Sequence, residues 1–292
     1  MTRFTILALF SLVVILATFS FLPLKSTPNE VGWEMSPRSL ILNPEYEGAD
    51  TCLTLNEVVD PFKDLRGMFE PMIPAVSVQE EIEVGDAGHE RFTEEHRITE
   101  APESAKGVFR KLVAKLDQKG VTRGFNYRLH YLPDYDEVNA FTMGGHVYLT
   151  QGMMDYIQTD DELACVLSHE LYHNELGHLN EKIAEFSAAI SLGSMMGLEE
   201  DVVAEIVNNA QFLEAMLTPA FNQENELMCD LHGVDLAEYA GYDGCAARNF
   251  WLRMDRSIEF DFERLLSTHP GGDDRADCIH HHIGHFYNLP CN

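Results

Sequence analysis

The sequence predicts an α+β fold, predominantly α, with a small sheet. Three observations carry that reading. Strand-like alternation is short and confined to residues 125–150. Helical apolar stripes are long and dominate after that point, and the clearest begins at a recognisable cap. No internal repeat is visible, which excludes a solenoid or propeller.

Taken in order, the chain opens with "MTRFTILALFSLVVILATFSFLPLKS", where Arg3 precedes an uncharged apolar run from Ile6 to Leu22 closed by Pro23. Residues 1–25 are therefore read as a signal peptide or an N-terminal membrane anchor, with the rest of the chain exported. Residues 26–100 contain Pro28, Pro37, Pro44, Pro61, Pro71 and Pro74 and show no long helical periodicity. They are read as a loop-rich extension that wraps or tethers the domain at 101–292. Glu103 to Lys119 sets Val108, Leu112, Val113 and Leu116 on one helical stripe. "FNYRLHYL" (125–132) alternates like a strand, and "VNAFTMGGHVYLTQGMM" (138–154) reads as two short strands around Gly144-Gly145.

The next helix starts at Thr159, which has capping-box spacing to Glu162. Asp160 and Asp161 suit its positive end, and Leu163, Val166, Leu167 and Leu171 form its apolar face. A buried or lid-like helix is expected over 183–198, others over about 200–217 and 222–239, the last stopping at Gly241. The chain then closes in a loop-rich tail containing "IHHHIGH" (279–285).

With 45% hydrophobic residues the chain can bury a full core. Its formal charge of -28 repels phosphate backbones, which excludes nucleic acid as a partner. Six cysteines lack any C-x-x-C spacing, so zinc-ribbon and thioredoxin-like readings fall away. Cys165 and Cys229 lie inside expected helices and are read as buried thiols. Cys52, Cys245, Cys278 and Cys291 can pair as two disulfides in three ways, and the sequence does not choose.

The chemistry concentrates in "HELYHNELGH" (169–178). Residues four apart share a helix face, so His169 and His173 can aim ring nitrogens at one metal ion. Glu170, about 100° around the axis, would stand beside that ion as a base. The competing reading is a solvated polar helix face. Catalytic zinc needs a third protein ligand, and "NQENELMCDLHGVDLAEYAGYD" (222–243) supplies Glu226, with Asp230 one turn on to hydrogen-bond a ligand histidine. His178 is about 140° from His173 around the helix, which makes it a structural contact, not a ligand. His280, His281, His282 and His285 are read as surface histidines, a second metal site being the alternative.

These segments resemble, in order, motifs of the HtpX and CAAX-prenyl-endopeptidase family of zinc metallopeptidases (gluzincins), and in particular its exported, soluble BepA- and LoiP-like branch. "NAFTMGGHVYLTQGMM", "DELACVLSHELYHNELGH", the 222–243 segment and "STHP" with Arg275 (267–275) carry the likeness. It covers about residues 103 to 280. The resemblance implies a zincin-like domain holding one zinc through His169, His173 and Glu226, with Glu170 as general base. Cys165 and Cys229 stand where the family usually has alanine.

By the same resemblance, the activity is zinc-dependent hydrolysis of peptide bonds in unfolded or misfolded polypeptides, in envelope protein quality control. The compartment is periplasmic, or a membrane anchor faces it, with membrane association through the N-terminus. His269 is expected either to stabilise the oxyanion, with Arg275 as the alternative, or to occupy the open position on the metal. The latter would make a latent, chaperone-like binding protein. Asn139 to Phe141 is expected on an edge strand, where an extended substrate adds through main-chain hydrogen bonds.

Overall fold

The computed structural model describes residues 76–120, 122–180, 182–183, 223–254, 265, 269 and 273–291. The leader at 1–25 and the helix expected over 200–217 lie outside these residues, as does nearly all of the 183–198 helix. No helix among the described residues is long and apolar enough to cross a membrane.

The sheet holds β1 (Thr99–Glu100), β2 (Arg128–Leu132), β3 (Ala140–Met143) and β4 (His146–Thr150) in the order β1-β2-β4-β3. β2 and β4 are parallel, and the two outer pairs are antiparallel. Gly144 and Gly145 turn β3 into β4 with φ of 53° and 92°, backbone that side chains disfavour. β3 is one of the two edge strands among the described residues, β1 being the other. Strand period two then sorts the side chains. Ala140, Thr142, Val147 and Leu149 face inward, while Phe141, Met143, His146 and Tyr148 face outward with Arg128 and His130 of the neighbouring strand.

The inward face meets α2 (Glu103–Lys119) and α4 (Asp160–Glu175), which follows the short α3 (Gln151–Tyr156). α2 buries Val108, Phe109, Leu112 and Leu116, about 1.5–3 kcal/mol each relative to exposure, and stops at left-handed Gly120. α4 begins as the sequence predicts, with Thr159 Oγ1 accepting the Glu162 N–H at 3.2 Å. The reciprocal half of the capping box is shifted by one residue: Glu162 takes the Gln158 N–H at 2.8 Å and also pairs with Arg253. α5 (Gln223–Tyr239) packs along α4, matching the expected helix.

Two expectations of loop are corrected. Val78–Glu95 is a helix, α1, closed at its start by a Ser77–Glu80 capping box. Its buried stripe is Glu81, Gly85 and Gly88, so apolar periodicity could not reveal it. Gly85 lies so close to the β3–β4 turn that a Cβ there would sit 2.7 Å from Gly144 Cα. The C-terminal tail is also helical: α7 (Asp273–Tyr287) buries Arg275, Cys278 and His282 together with Ala276, Ile279 and Ile283. α6 (Cys245–Met254) was not expected either; it packs Phe250 and Trp251 into the core. A Cys245–Cys291 disulfide ties α6 to the segment after α7, and Cys278 is disulfide-bonded as well. Cys165 and Cys229 are free and buried.

Candidate active site

α4 carries His169, Glu170 and His173, and α5 carries Glu226 and Asp230. The two helices are in close contact at Gly233, where a Cβ would stand 3.0 Å from the His169 amide nitrogen. Glu226, Asp230 and Gly233 follow i, i+4, i+7 spacing, so this contact aims both carboxylates at the histidines.

The hydrogen bonds behind the histidines fix their orientation. Asp230 can only accept, so His169 Nδ1–H donates to its Oδ1 at 2.9 Å. His173 Nδ1 lies 2.9 Å from Nδ1 of His178, which in turn contacts Cys229 Sγ at 3.5 Å. α4 ends at Glu175 and the chain turns at Gly177, so His178 lies beyond the helix on which the sequence placed it and meets His173 from there. Both Nε2 atoms then point at each other, 2.9 Å apart. Glu226 reaches them at 3.3 and 3.4 Å.

Two lone pairs cannot face each other at that distance with nothing positive between them. Burial alone would lower the His169 pKa, but hydrogen bonds to Asp230 and Glu226 outweigh it and push it up to about 9. Without a metal, a proton on His169 therefore supplies the positive charge. Burial holds His173 well below the ordinary histidine range, in the neutral form that binds metals. Glu226 Oε1 has no hydrogen-bond partner although the residue is fully buried. The donor set and this bare oxygen fit a divalent cation, and His169, His173, Glu226 and His269 bring ligand atoms within 4.8 Å of one another.

Burial would raise the Glu226 pKa, yet His269, Arg275 and His173 together hold it well below the usual carboxylate range. Glu170 is the opposite case, with desolvation raising its pKa. Its Oε2 is buried without a hydrogen-bond partner, while Oε1 lies 3.6 Å from His269 Nε2.

Of the other candidates, His269 enters the same cluster, with Nδ1 at 2.9 Å from Glu226 Oε2 and Nε2 at 3.3 Å from the Ala140 carbonyl on β3. Arg275 sits behind the carboxylates. Its Nε and one terminal nitrogen donate to Asp230 at 2.6 and 2.7 Å, the other to Glu226 at 2.9 Å, and its plane stacks on Trp251 at 3.9 Å. Asn139 is buried just before β3, with Oδ1 lacking a hydrogen-bond partner. The Phe141 side chain turns to the outer sheet face and stacks on Tyr148, so only its backbone remains on the edge. His282 is not a surface histidine: it is buried and bonds Asp235 at 2.7 Å.

Asn174 was missed by sequence reasoning. Its amide donates to Thr142 Oγ1 at 2.6 Å and to the Glu170 carbonyl at 3.0 Å, and it accepts the Gly145 N–H at 2.9 Å. It clamps the β3–β4 turn to the active helix, a role visible only once the strand register is known. A small cleft opens at the site, where Ala140, Val166, Phe250, Trp251 and Leu265 wall it beside His169, Glu170, Asp230 and His269.

Residues 103–283 match the peptidase family M48. Curated relatives include the mitochondrial metalloendopeptidase OMA1 of Schizosaccharomyces pombe (31% identical), a beta-barrel assembly-enhancing protease of Yersinia pestis (30%) and the metalloprotease LoiP of Escherichia coli (26%). The matched segments cover 51%, 50% and 53% of this chain, but 44%, 32% and 61% of those relatives' own lengths. With the family match spanning well over half of its residues and the metal-ligand cluster lying inside that span, the chain belongs to peptidase family M48.

Proposed function

We propose that the chain is a zinc-dependent endopeptidase of the HtpX and CAAX-prenyl-endopeptidase lineage, in its exported soluble branch, acting on unfolded or misfolded polypeptides. The observation that carries this reading is one buried cluster in which the convergent Nε2 atoms and the Glu226 carboxylate stand beside Glu170, whose Oε2 has no hydrogen-bond partner.

His169, His173 and Glu226 would hold the ion. Zinc in such a site polarises a carbonyl and acidifies water. Glu170 would take the proton of the attacking water and pass it on to the leaving amine. Asp230 takes the Nδ1–H of His169, which leaves the Nε2 lone pair free and would let it hold the ion. Arg275 is a positioning residue for both carboxylates. The apolar cleft favours a substrate with an apolar side chain next to the scissile bond. The β3 edge supports binding through backbone, which suits broad cleavage of unfolded chains.

The apolar leader supports export to an envelope compartment, either as a cleaved signal or as an anchor giving membrane association. The relatives' printed names, among them an assembly-enhancing protease, support a quality-control role.

A second reading has its own support. His269 contributes the fourth ligand atom of the cluster and also binds the Ala140 carbonyl, so it would hold a zinc site shut and block the strand edge in a latent or chaperone-like state. One experiment addresses both. Cleavage of unfolded casein by the full chain is compared with that by Glu170→Gln and His269→Ala, with zinc content measured on all three. The endopeptidase reading requires about one zinc at this site in the parent and in Glu170→Gln, with cleavage only in the parent. Faster cleavage by His269→Ala favours the latent state, and slower cleavage favours oxyanion stabilisation. If none of these proteins holds zinc there, the ligand assignment fails.

A further inference from the structure

On the outer sheet face, away from the candidate active site, His130 of β2 and His146 of β4 meet His89 of α1. The His89 ring centroid lies 4.3 Å from each of the other two, and the His130 and His146 rings are stacked at 5.1 Å. Three imidazoles from three different elements present ligand atoms within 4.8 Å of one another. We propose that His89, His130 and His146 form a second metal site, for a divalent transition ion of the zinc type, which fastens α1 to the sheet.

The bonds around the cluster set it up for this. His146 Nε2 lies 2.8 Å from Asp86 Oδ1, and a carboxylate there takes the ring N–H. That tautomer leaves the Nδ1 lone pair facing His130 Nε2, 2.9 Å away. It is the carboxylate–histidine arrangement that orients metal-bound imidazoles elsewhere. Two nitrogens bound to one tetrahedral ion at about 2.0–2.1 Å stand roughly 3.3 Å apart, so admitting an ion asks for an opening of only a few tenths of an ångström.

His89 is braced from behind by its 2.7 Å contact with Tyr148 Oη. Burial lowers the pKa of all three rings, that of His130 to about 3, so they are neutral ligands at pH 7. His89 and His130 are half-buried, which leaves an entry path. Among the described residues, the cation beside the cluster is Arg128, 3.4 Å from His146 Nε2 on the side away from the Nδ1 lone pair and paired with Asp86 at 3.2 Å. Imidazole donors without sulfur suit zinc, copper or nickel over calcium or magnesium. Without an ion, the same residues form a hydrogen-bonded chain from Asp86 to His130, and this is the competing outcome.

The test removes the other site first. The full chain carrying His169→Ala and His173→Ala is loaded with zinc chloride, desalted and assayed for zinc by mass spectrometry, with its fold checked by circular dichroism. Retention of about one equivalent is expected, lost on adding His130→Ala or, independently, His89→Ala. In the parent, His130→Ala alone lowers the zinc content by one equivalent. Amide exchange across residues 78–95 is expected to slow at least tenfold when zinc is added to the double variant.

Absence of retained zinc in the folded double variant overturns the site. So does zinc that survives both further substitutions. Zinc bound with unchanged exchange in α1 overturns the fastening role. None of these readings depends on whether the chain cleaves peptides.

Discussion

Arg275 is the residue whose loss should test the charge balance of the candidate site most severely. Its guanidinium is 1% exposed and makes three charge-assisted hydrogen bonds, of 2.6, 2.7 and 2.9 Å, to two carboxylates that are themselves buried. Arg275→Met keeps most of the volume beside Trp251 but removes the strongest counter-charge of Asp230 and Glu226, leaving them to His169. Each such bond contributes about 1.5–3 kcal/mol. Protonation of a carboxylate recovers part of that, so the net loss expected is about 3–5 kcal/mol. For a domain of this size it corresponds to a fall in Tm of roughly 6–20 °C.

The assay is urea unfolding of the full chain in chelator, followed by far-ultraviolet circular dichroism, for the parent, Arg275→Met, Asp230→Asn and the double variant. Because Asp230→Asn removes one of the stranded charges, the double variant should be less destabilised than the two single losses summed, by at least about 1 kcal/mol. A loss below about 1 kcal/mol in Arg275→Met would refute the reasoning. It would mean that the carboxylates are solvated or already protonated in the folded chain.

Three further outcomes are expected. Gly233→Ala forces α4 and α5 apart at the point where a Cβ meets the His169 backbone at 3.0 Å; calorimetry should show about 1–3 kcal/mol lost and zinc affinity about tenfold weaker. Glu81 is buried against Arg123 at 2.7 Å, yet desolvation pushes its pKa up to about 7. The folded chain therefore holds an extra proton between about pH 4.5 and 7. Stability should fall as pH rises through that window, by at most about 3 kcal/mol, and Glu81→Gln should remove this component of the slope in denaturant titrations. Cys291→Ser opens a disulfide between residues 46 apart and should cost about 4 kcal/mol in urea unfolding under oxidising conditions.

What could be read from the sequence follows from how each element is stabilised. α2 and α4 bury aliphatic stripes and carry their own start or stop signals, so periodicity and capping found them. α1 reads as a loop because its buried positions are Glu81, Gly85 and Gly88, and α7 because Arg275, Cys278 and His282 interleave with its short apolar stripe of Ala276, Ile279 and Ile283. Those residues are satisfied by partners distant in sequence, which a hydrophobic pattern does not see. The same distinction separates the two histidine clusters. His169 and His173 share one turn of one helix, and helix geometry alone brings them together. His89, His130 and His146 meet only through the β2–β4 register and the docking of α1, and nothing local in the sequence encodes that meeting. The role of Asn174 was hidden for the same reason.

The placement of Arg275 on α7 has a consequence for the order in which the chain is made. His169 and Glu170 leave the ribosome first and Glu226 later, and the arginine that neutralises the carboxylates comes another 49 residues on. Until it arrives, His169 on α4 is left to offset both Glu226 and Asp230, so the helices close less firmly around the histidines. A nascent chain is thereby kept from completing the candidate site until its last described helix, α7, has been made.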